Sequence, residues 1–170
     1  MSALEAIMKR RSVRRFTEEA VPRETAMKIV EAGAAAPSAM NLRPVRFILL
    51  NKSEMAALAE KIEQKTPFLE GQWAVAVCAD TRGYSSGMAW LEDSAAAMEN
   101  MLIAAEELGL GSLWYGVYAR PAKEPQLREF LRLPRGVEIA GVAVIGRKGE
   151  EKGERGAFDP SVLRFGSWTE

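Results

Sequence analysis

The chain contains no histidine and only one cysteine, Cys78, among its 170 residues. Without histidine, neither a Ser-His-Asp triad nor a histidine proton shuttle can form, and nearly every zinc arrangement is excluded. A single cysteine cannot build a disulfide framework within the chain. We therefore expect no metal site and no histidine-based chemistry, and we expect Cys78 to be a buried apolar residue.

The sequence also lacks an excess of charge and a long apolar run. Its 23 basic residues equal its 23 acidic residues, which argues against a nucleic-acid-binding protein built on a broad basic face. No apolar stretch reaches membrane-spanning length, and the N-terminus lacks the apolar core of a signal peptide. We expect one cytoplasmic domain over residues 1–170, long enough to bury a sizeable core.

A local basic cluster interrupts this balance, with the sequence Lys9-Arg10-Arg11-Ser12-Val13-Arg14-Arg15-Phe16. It follows a short amphipathic helix, which is predicted from a capping box between Ser2 and Glu5. The helix macrodipole favours the first cations but does not account for the arginines that continue beyond the helix. Arginine and serine donors suit the oxygens of a phosphate monoester. The cluster thus indicates either an anion-binding site or a solvated basic face.

Hydrophobic periodicity predicts alternating helices and strands along the rest of the chain. Helices are expected over residues 22–35, from a cap at Ser53 to about Ile62, and over 87–108 and 124–131, and strands over 46–50, 73–79, 113–118 and 137–146. The strand over 73–79 is apolar throughout, which is typical of a central strand covered on both faces. The helix over 87–108 is apolar around much of its circumference, as in a helix central to the core or packed against another chain.

Three further motifs allow more than one interpretation. Residues 36–44 (Ala-Pro-Ser-Ala-Met-Asn-Leu-Arg-Pro) predict a shaped loop, either functional or an ordinary connection. Residues 83–87 match the G-x-S-x-G pattern of a hydrolase nucleophile elbow, but such a serine needs a histidine base. Residues 109–116 (Gly-Leu-Gly-Ser-Leu-Trp-Tyr-Gly) resemble a dinucleotide-binding motif, yet they follow a helix and precede a strand, which reverses the Rossmann order. Neither an esterase nor a Rossmann domain is expected.

Three of these motifs together resemble the FMN-dependent nitroreductase family. Residues 10–14, 36–44 and 109–116 occur in the family's order, with matching elements between them, along nearly the whole chain. The resemblance implies an α+β fold, a three-layer α/β/α arrangement with a mixed, largely antiparallel central sheet. It also implies an intertwined homodimer with one FMN in each of two interface sites. Separately, the charged, glycine-rich segment from Arg147 that ends in apolar residues predicts a C-terminal arm, about residues 147–170, that docks on the partner subunit.

The resemblance further implies which residues bind FMN, and it names no catalytic side chain. The phosphate and ribityl chain would be bound by Arg10, Arg11, Ser12 and Arg14, with Arg155 from the C-terminal arm. The flavin's pyrimidine side and face would be lined by Pro37, Ser38, Ala39 and Asn41 of the other subunit. Flavin N5 and O4 would lie near the backbone of Trp114, Tyr115 and Gly116. Val45 stands where many relatives have an aromatic residue, so the substrate-facing wall is not predicted.

The implied activity is the reduction of a small-molecule acceptor, such as a nitroaromatic or a quinone, by NADH or NADPH. In the implied ping-pong cycle the nicotinamide passes hydride to flavin N5, leaves, and is replaced by the acceptor. Two alternatives stay open. One is a flavin-binding protein without nitroreductase turnover, acting as a flavin carrier or sensor, or in flavin fragmentation or reductive dehalogenation. The other is a phosphate-binding regulatory module without flavin.

Overall fold

A computed structural model describes residues 1–84, 89–153 and 156–168 of the chain. The helices of this part are α1 (Ala3–Lys9), α2 (Arg23–Ala34), α3 (Lys52–Lys61), α4 (Ala89–Glu107) and α5 (Glu124–Phe130). The strands are β1 (Val45–Leu50), β2 (Trp73–Asp80), β3 (Gly111–Gly116) and β4 (Val137–Gly146). Within these residues no helix combines the length and apolar character needed to cross a membrane.

The four strands form one sheet in the order β1-β2-β4-β3, and all three pairings are antiparallel. An isolated parallel bridge joins Ser12 to Ser112 and extends the pairing beyond β3. The interior position of β2 agrees with its sequence, because an apolar strand is stable where neighbouring layers cover both faces. The predicted α+β class with a largely antiparallel central sheet is confirmed.

Side chains alternate along β2 between two apolar layers. Ala74, Ala76 and Cys78 belong to a buried cluster with residues of α3 and α5. Val75 and Val77 belong to a second cluster with residues of α2 and α4. The sheet is therefore covered by α3 and α5 on one face and by α2 and α4 on the other, which gives the predicted three layers.

Cys78 is 1% exposed, as the sequence predicted for a lone apolar cysteine. Burial raises the pKa of its thiol to about 12, although the charge of Arg128 opposes the shift. Because the thiolate is the reactive form, this cysteine stays chemically inert at neutral pH.

A β-bulge at Ala140 shapes the end of the sheet next to β3. Val77 pairs with Gly141 and Cys78 pairs with Ile139, so Ala140 is the extra residue between them. Bulges of this kind increase the local twist and re-aim the strand. The carbonyl of Ala140 accepts hydrogen bonds from the backbone N–H groups of Val117 and Tyr118, both at 3.3 Å, and so fixes the point where the chain leaves β3.

Helix α4 packs against α1, α2 and all four strands, which buries nine of its 19 residues. These contacts account for its buried side, the first of the two alternatives, whereas Leu91, Ala96 and Ile103 stay partly exposed, so packing against another chain stays open as well. The helix approaches α2 closely at Gly33, where a Cβ atom would lie 2.7 Å from Cγ of Met101. Glycine at this position lets the two helices meet.

The predicted start of α1 is confirmed, whereas the predicted cap of α3 and both predicted ends of β3 are wrong. The capping box of α1 is present, with Glu5 N–H donating to Ser2 Oγ at 3.2 Å. The cap of α3 is Asn51 rather than Ser53, because the Asn51 side chain accepts from the N–H groups of both Ser53 and Glu54. Strand β3 runs from Gly111 to Gly116, so it begins and ends two residues before the predicted bounds.

Candidate functional site

Four of the predicted phosphate-binding residues line one cleft. The cleft has a volume of about 440 Å³, and its lining consists of Arg10, Arg11, Ser12, Arg14, Lys152 and Gly156. Among the described residues, none with an acidic side chain lines it. The arrangement concentrates positive charge and suits an anion such as a phosphate.

The three arginines of this cleft are held in different ways. The Arg10 Nε atom donates to Oε1 of Glu99 on α4 at 2.9 Å, and the guanidinium of Arg11 donates to the carbonyl of Gly153. The Arg14 guanidinium is exposed, and no hydrogen bond or ion pair within residues 1–84, 89–153 and 156–168 uses it. Its donors can therefore meet a ligand without breaking an internal contact.

The backbone of the arginine segment is fixed between β3 and the start of the C-terminal arm. Val13 N–H donates to the carbonyl of Ser112 at 2.9 Å, and Gly149 N–H donates to the carbonyl of Arg15 at 2.9 Å. The Glu150 carboxylate accepts from the N–H groups of Arg14 at 2.6 Å and Arg15 at 3.3 Å. The first residues of the arm thus contact their own chain.

Strand β3 presents backbone groups at an open sheet edge next to the arginine segment. In an antiparallel pair, alternate residues turn their N–H and C=O groups away from the partner strand. The carbonyl of Ser112 accepts from Val13, so Ser112 faces outward, and the register makes Trp114 and Gly116 face the same way. In the described structure no hydrogen bond uses the outward backbone groups of Trp114 or Gly116. They are available to a bound molecule.

The second half of β3 is also more open than the first. Gly111, Ser112 and Leu113 are buried, whereas Trp114, Tyr115 and Gly116 are partly exposed. A Cβ atom on Gly116 would meet Arg120 Nη2 at 3.7 Å, an ordinary contact, so glycine is not required there by the chain's own packing. The open space suits the close approach of a flat group to the backbone.

The side chain of Tyr115 stands against an aromatic neighbour. Its ring packs edge-on against Phe68 with 5.1 Å between centroids, and the Arg120 guanidinium lies 5.9 Å from the Tyr115 ring centroid. Burial raises the pKa of Tyr115, while the charge of Arg120 opposes the shift. The phenol therefore remains protonated at neutral pH.

The predicted loop over residues 36–44 contains a tight turn in an uncommon backbone conformation. Met40, Asn41 and Arg43 have positive φ values of 49°, 56° and 48°, in a region that non-glycine residues seldom occupy. The Ser38 hydroxyl accepts from Arg43 N–H at 2.8 Å, and Asn41 Oδ1 accepts from Arg43 Nε at 3.0 Å.

A buried acid attaches this turn to α4. The N–H of Ala39 donates to Oδ1 of Asp93 at 2.9 Å. Asp93 is 6% exposed and its Oδ2 accepts from the Tyr84 hydroxyl. The acid was not predicted from the sequence, because α4 also carries Glu92, Glu99, Glu106 and Glu107 and no local signal distinguishes Asp93 from them.

Within one chain the loop and the arginine cleft lie at opposite edges of the sheet. The loop leads into β1 at one edge, and the arginine segment pairs beyond β3 at the other. The strand spacing puts β1 and β3 about 14 Å apart. Pro37 and Ser38 line a separate cleft of about 220 Å³ with residues of α2, β1 and α4. The structure brings the arginine cluster and the open edge of β3 together and leaves the loop apart.

Two sequence-based expectations concern residues outside the described part. The first is Arg155, which was predicted to complete the phosphate site. The second is the G-x-S-x-G pattern, whose Ser85, Ser86 and Gly87 lie outside the described residues. Lys152 lines the arginine cleft but was missed, because its glycine-rich and charged surroundings carry no periodic signal. The described residues contain no cluster of three or more potential metal ligands among His, Cys, Asp and Glu.

Comparisons with known proteins agree with this geometry. The model of the nitroreductase family matches residues 7–89 and 68–147. A Methanothermobacter thermautotrophicus protein, provisionally named NADH dehydrogenase/NAD(P)H nitroreductase, is 34% identical over 172 residues, which cover 99% of this chain and 88% of that protein. The FMN reductase (NAD(P)H) of Bacillus subtilis is 26% identical, and the match covers 89% of this chain and 68% of that protein.

Solved structures show the same similarity at the level of the fold. A Parabacteroides distasonis protein, provisionally named NADH dehydrogenase/NAD(P)H nitroreductase, has a TM-score of 0.87 and 32% identity, with 98% of each chain covered. A provisionally assigned nitroreductase from Desulfovibrio desulfuricans, solved in complex with FMN, has a TM-score of 0.83 and 26% identity, with 99% of each chain covered. On the family match and on these similarities over nearly its whole length, the chain belongs to the nitroreductase family.

Proposed function

We propose that this protein is an FMN-dependent oxidoreductase that uses NAD(P)H to reduce a small-molecule acceptor, such as a nitroaromatic or a quinone. The observation that carries the proposal is the continuity of two features on one side of the chain. A cleft lined by three arginines and Lys152 lies beside the outward backbone groups of β3. This combination suits a molecule with a phosphate at one end and a flat, hydrogen-bonding ring at the other.

The phosphate end of FMN would be bound in the arginine cleft. Arg14 offers donors that its own chain does not engage in the described residues, and Ser12 adds a hydroxyl. Arg10 and Arg11 are oriented by Glu99 and by the Gly153 carbonyl, which limits the entropy lost when they meet a ligand. A single terminal phosphate matches this cluster, and we therefore favour FMN over FAD.

The ring end would lie along β3. The N–H of Gly116 faces the open edge and can donate to an acceptor atom of the ring, and the partly exposed faces of Trp114 and Tyr115 flank the same strand. Bound FMN would supply the redox chemistry, accepting hydride from the nicotinamide and passing it to the acceptor. The chain's own residues would bind and orient the cofactor, and no side-chain acid or base is assigned a catalytic role.

The Pro37–Asn41 part of the site would come from a second copy of the chain. In one chain this loop lies at the sheet edge opposite the arginine cleft, so a site that contains both needs the loop of the partner subunit. The C-terminal arm gives independent support. Phe158, Phe165 and Trp168 are 70%, 87% and 81% exposed, and apolar side chains clustered on an exposed segment usually dock on another surface. We propose a homodimer in which each arm covers the partner subunit.

The cofactor proposal is tested on the purified protein. We expect it to be yellow, to release FMN when denatured, as identified by mass spectrometry, and to contain about one FMN per chain. Release of FAD, or a colourless protein that does not take up FMN, would contradict the proposal. Steady NADH or NADPH oxidation with an added quinone then tests turnover, and a flavin that binds without such turnover would favour the carrier or sensor alternative.

A further inference from the structure

Asp93 is a buried acid that the proposed chemistry does not use. It is 6% exposed, and both carboxylate oxygens accept hydrogen bonds, Oδ1 from Ala39 N–H at 2.9 Å and Oδ2 from the Tyr84 hydroxyl. Burying a carboxylate is costly unless it is fully hydrogen-bonded. Asp93 therefore joins three separate segments: helix α4, the loop before β1, and the segment that follows β2.

The segment that Asp93 contacts needs outside support. Met40 and Asn41 follow Ala39 directly, and both adopt left-handed backbone conformations. Such conformations persist in non-glycine residues only where the surroundings determine them. The bond from Ala39 N–H to Asp93 is the one hydrogen bond, among the described residues, that joins residues 38–42 to a helix. The remaining hydrogen bonds of this segment lie within the loop.

Tyr84 keeps the carboxylate in place from the opposite side. Burial and the Asp93 carboxylate raise the pKa of Tyr84 to about 12. The phenol therefore keeps its proton at neutral pH and donates it to the Asp93 carboxylate. Because each Asp93 oxygen has its own donor, rotation of the carboxylate away from Ala39 would break the bond to Tyr84 as well.

We propose that Asp93 is a positioning residue that holds the turn after Ser38 in the shape in which it meets the flavin of the partner subunit. This inference rests on the proposed function, which assigns the loop to the flavin site. Asp93 does not touch the cofactor in this scheme. It acts through its hydrogen bond to the backbone of Ala39. Its removal would weaken flavin binding indirectly, because the loop would no longer be held in shape.

A simpler role is that Asp93 stabilises α4 alone. An acid in the early turns of a helix interacts favourably with the macrodipole. Glu92 is the matched control, since it is the adjacent acid on the same helix, is exposed, and would share any benefit from the macrodipole. Asp93→Asn separates the two roles further, because it removes the charge but keeps an oxygen for Ala39 and an N–H group for the Tyr84 oxygen.

The first measurement is FMN affinity, by fluorescence titration of the apoprotein, for Asp93→Ala, Asp93→Asn and Glu92→Ala. We expect Asp93→Ala to weaken binding about 10- to 100-fold, because the loop loses a hydrogen bond to a charged group. Asp93→Asn should weaken it less, since a neutral hydrogen bond remains, and Glu92→Ala should stay within about threefold of wild type. Equal affinity of Asp93→Ala and wild type would overturn the proposal, as would an Asp93→Asn defect as large as that of Asp93→Ala. If Asp93→Ala does not fold, Tyr84→Phe replaces it, with weaker FMN binding expected and unchanged binding contradicting the proposal.

The second measurement does not depend on flavin. Amide hydrogen exchange of Ala39, followed by NMR in the apoprotein, should be slow in wild type and Glu92→Ala and about tenfold or more faster in Asp93→Ala. Fast exchange in wild type, or no change in the variant, would overturn the proposal. If wild type binds no FMN, the proposed function is wrong. The exchange rates of Ala39 still show whether Asp93 holds the loop.

Discussion

At the scale of single residues, the arginine cluster is a set of differently held side chains rather than a uniform basic face. Arg10 is paired with Glu99, Arg11 with the Gly153 carbonyl, and Arg15 with Glu70. The sequence predicted the cluster and its preference for phosphate, because these follow from residue type and spacing. It could not predict the partners, which lie 55 to 142 positions away along the chain.

Removing Arg14 or Arg10 tests the phosphate assignment. We expect Arg14→Ala and Arg10→Ala each to weaken FMN binding by about 1.5–3 kcal/mol, the range for a hydrogen bond to a charged group, and to leave the fold intact. Arg15→Ala is the matched control, since Arg15 contacts Glu70 and does not line the cleft. Fluorescence titration of the three apoproteins gives the comparison. If Arg14→Ala and Arg10→Ala bind FMN as tightly as Arg15→Ala does, the cluster is a solvated basic face and not a phosphate site.

Glu150 predicts a pH dependence of stability. The hydrogen bond that it accepts from Lys152, together with those from the Arg14 and Arg15 N–H groups, lowers the pKa of this carboxyl from 4.5 to about 2. Since the folded-state pKa is the lower one, these contacts stabilise the protein above the unfolded-state pKa of 4.5, and their contribution is lost as the pH falls towards 2.

Thermal unfolding checks this from about pH 5 down to about pH 2.5. The Tm of wild type should fall more steeply over this interval than that of Glu150→Gln. Glu151→Gln, which changes the neighbouring exposed carboxylate, should follow wild type. Parallel curves for wild type and Glu150→Gln would mean that Glu150 does not anchor the arm.

At the scale of elements, predictions from local chemistry succeeded at the start of α1 and failed at the start of α3, and the bounds of β3 depended on a distant contact. The α1 capping box involves residues three apart, and it was readable from the sequence. The start of β3 was not predicted correctly, because glycine at position 111 is typical of a turn. A Cβ atom there would lie 2.9 Å from Cγ1 of Val13, so the glycine allows the arginine segment to approach the strand.

The same limit applies to the candidate site. The sequence singled out the loop over residues 36–44 from its prolines, serine and asparagine. It did not single out Asp93, since this residue is one of five acids in a helix of 19 residues and only the fold brings Ala39 against it.

The contact between α2 and α4 gives a prediction at this scale. Gly33→Ala should lower the free energy of unfolding, because its Cβ would lie 2.7 Å from Met101 Cγ and 3.1 Å from the Phe47 ring. Overpacking costs about 1–3 kcal/mol, which outweighs the gain in helix propensity of about 1 kcal/mol. Gly83→Ala, with no heavy atom within 4 Å of the added Cβ, is the control. Urea unfolding measures the free energy of unfolding of the three proteins. A higher value for Gly33→Ala than for wild type would contradict the prediction and show that Met101 can move to make room.

At the scale of the whole molecule, one chain holds the two halves of the proposed site at opposite sheet edges. The arginine cleft and β3 form one half, and the turn held by Asp93 forms the other. Two-fold symmetry brings unlike surface regions of two identical chains together twice, and this would give two equivalent sites per dimer. The exposed apolar arm is consistent with such an assembly.

The most direct test of this account is complementation between two defective chains. One carries Arg10→Ala and Arg14→Ala, and the other carries Ser38→Ala and Asn41→Asp, where aspartate tolerates the left-handed backbone. Each variant alone should bind little FMN. In a heterodimer, isolated through different tags on the two chains, one site would combine an intact arginine cleft with an intact loop. We predict about one bound FMN per heterodimer, with NAD(P)H oxidation restored in proportion. A confirmed heterodimer that binds no FMN and oxidises no NAD(P)H would contradict the account, because it would mean that each chain builds its site alone.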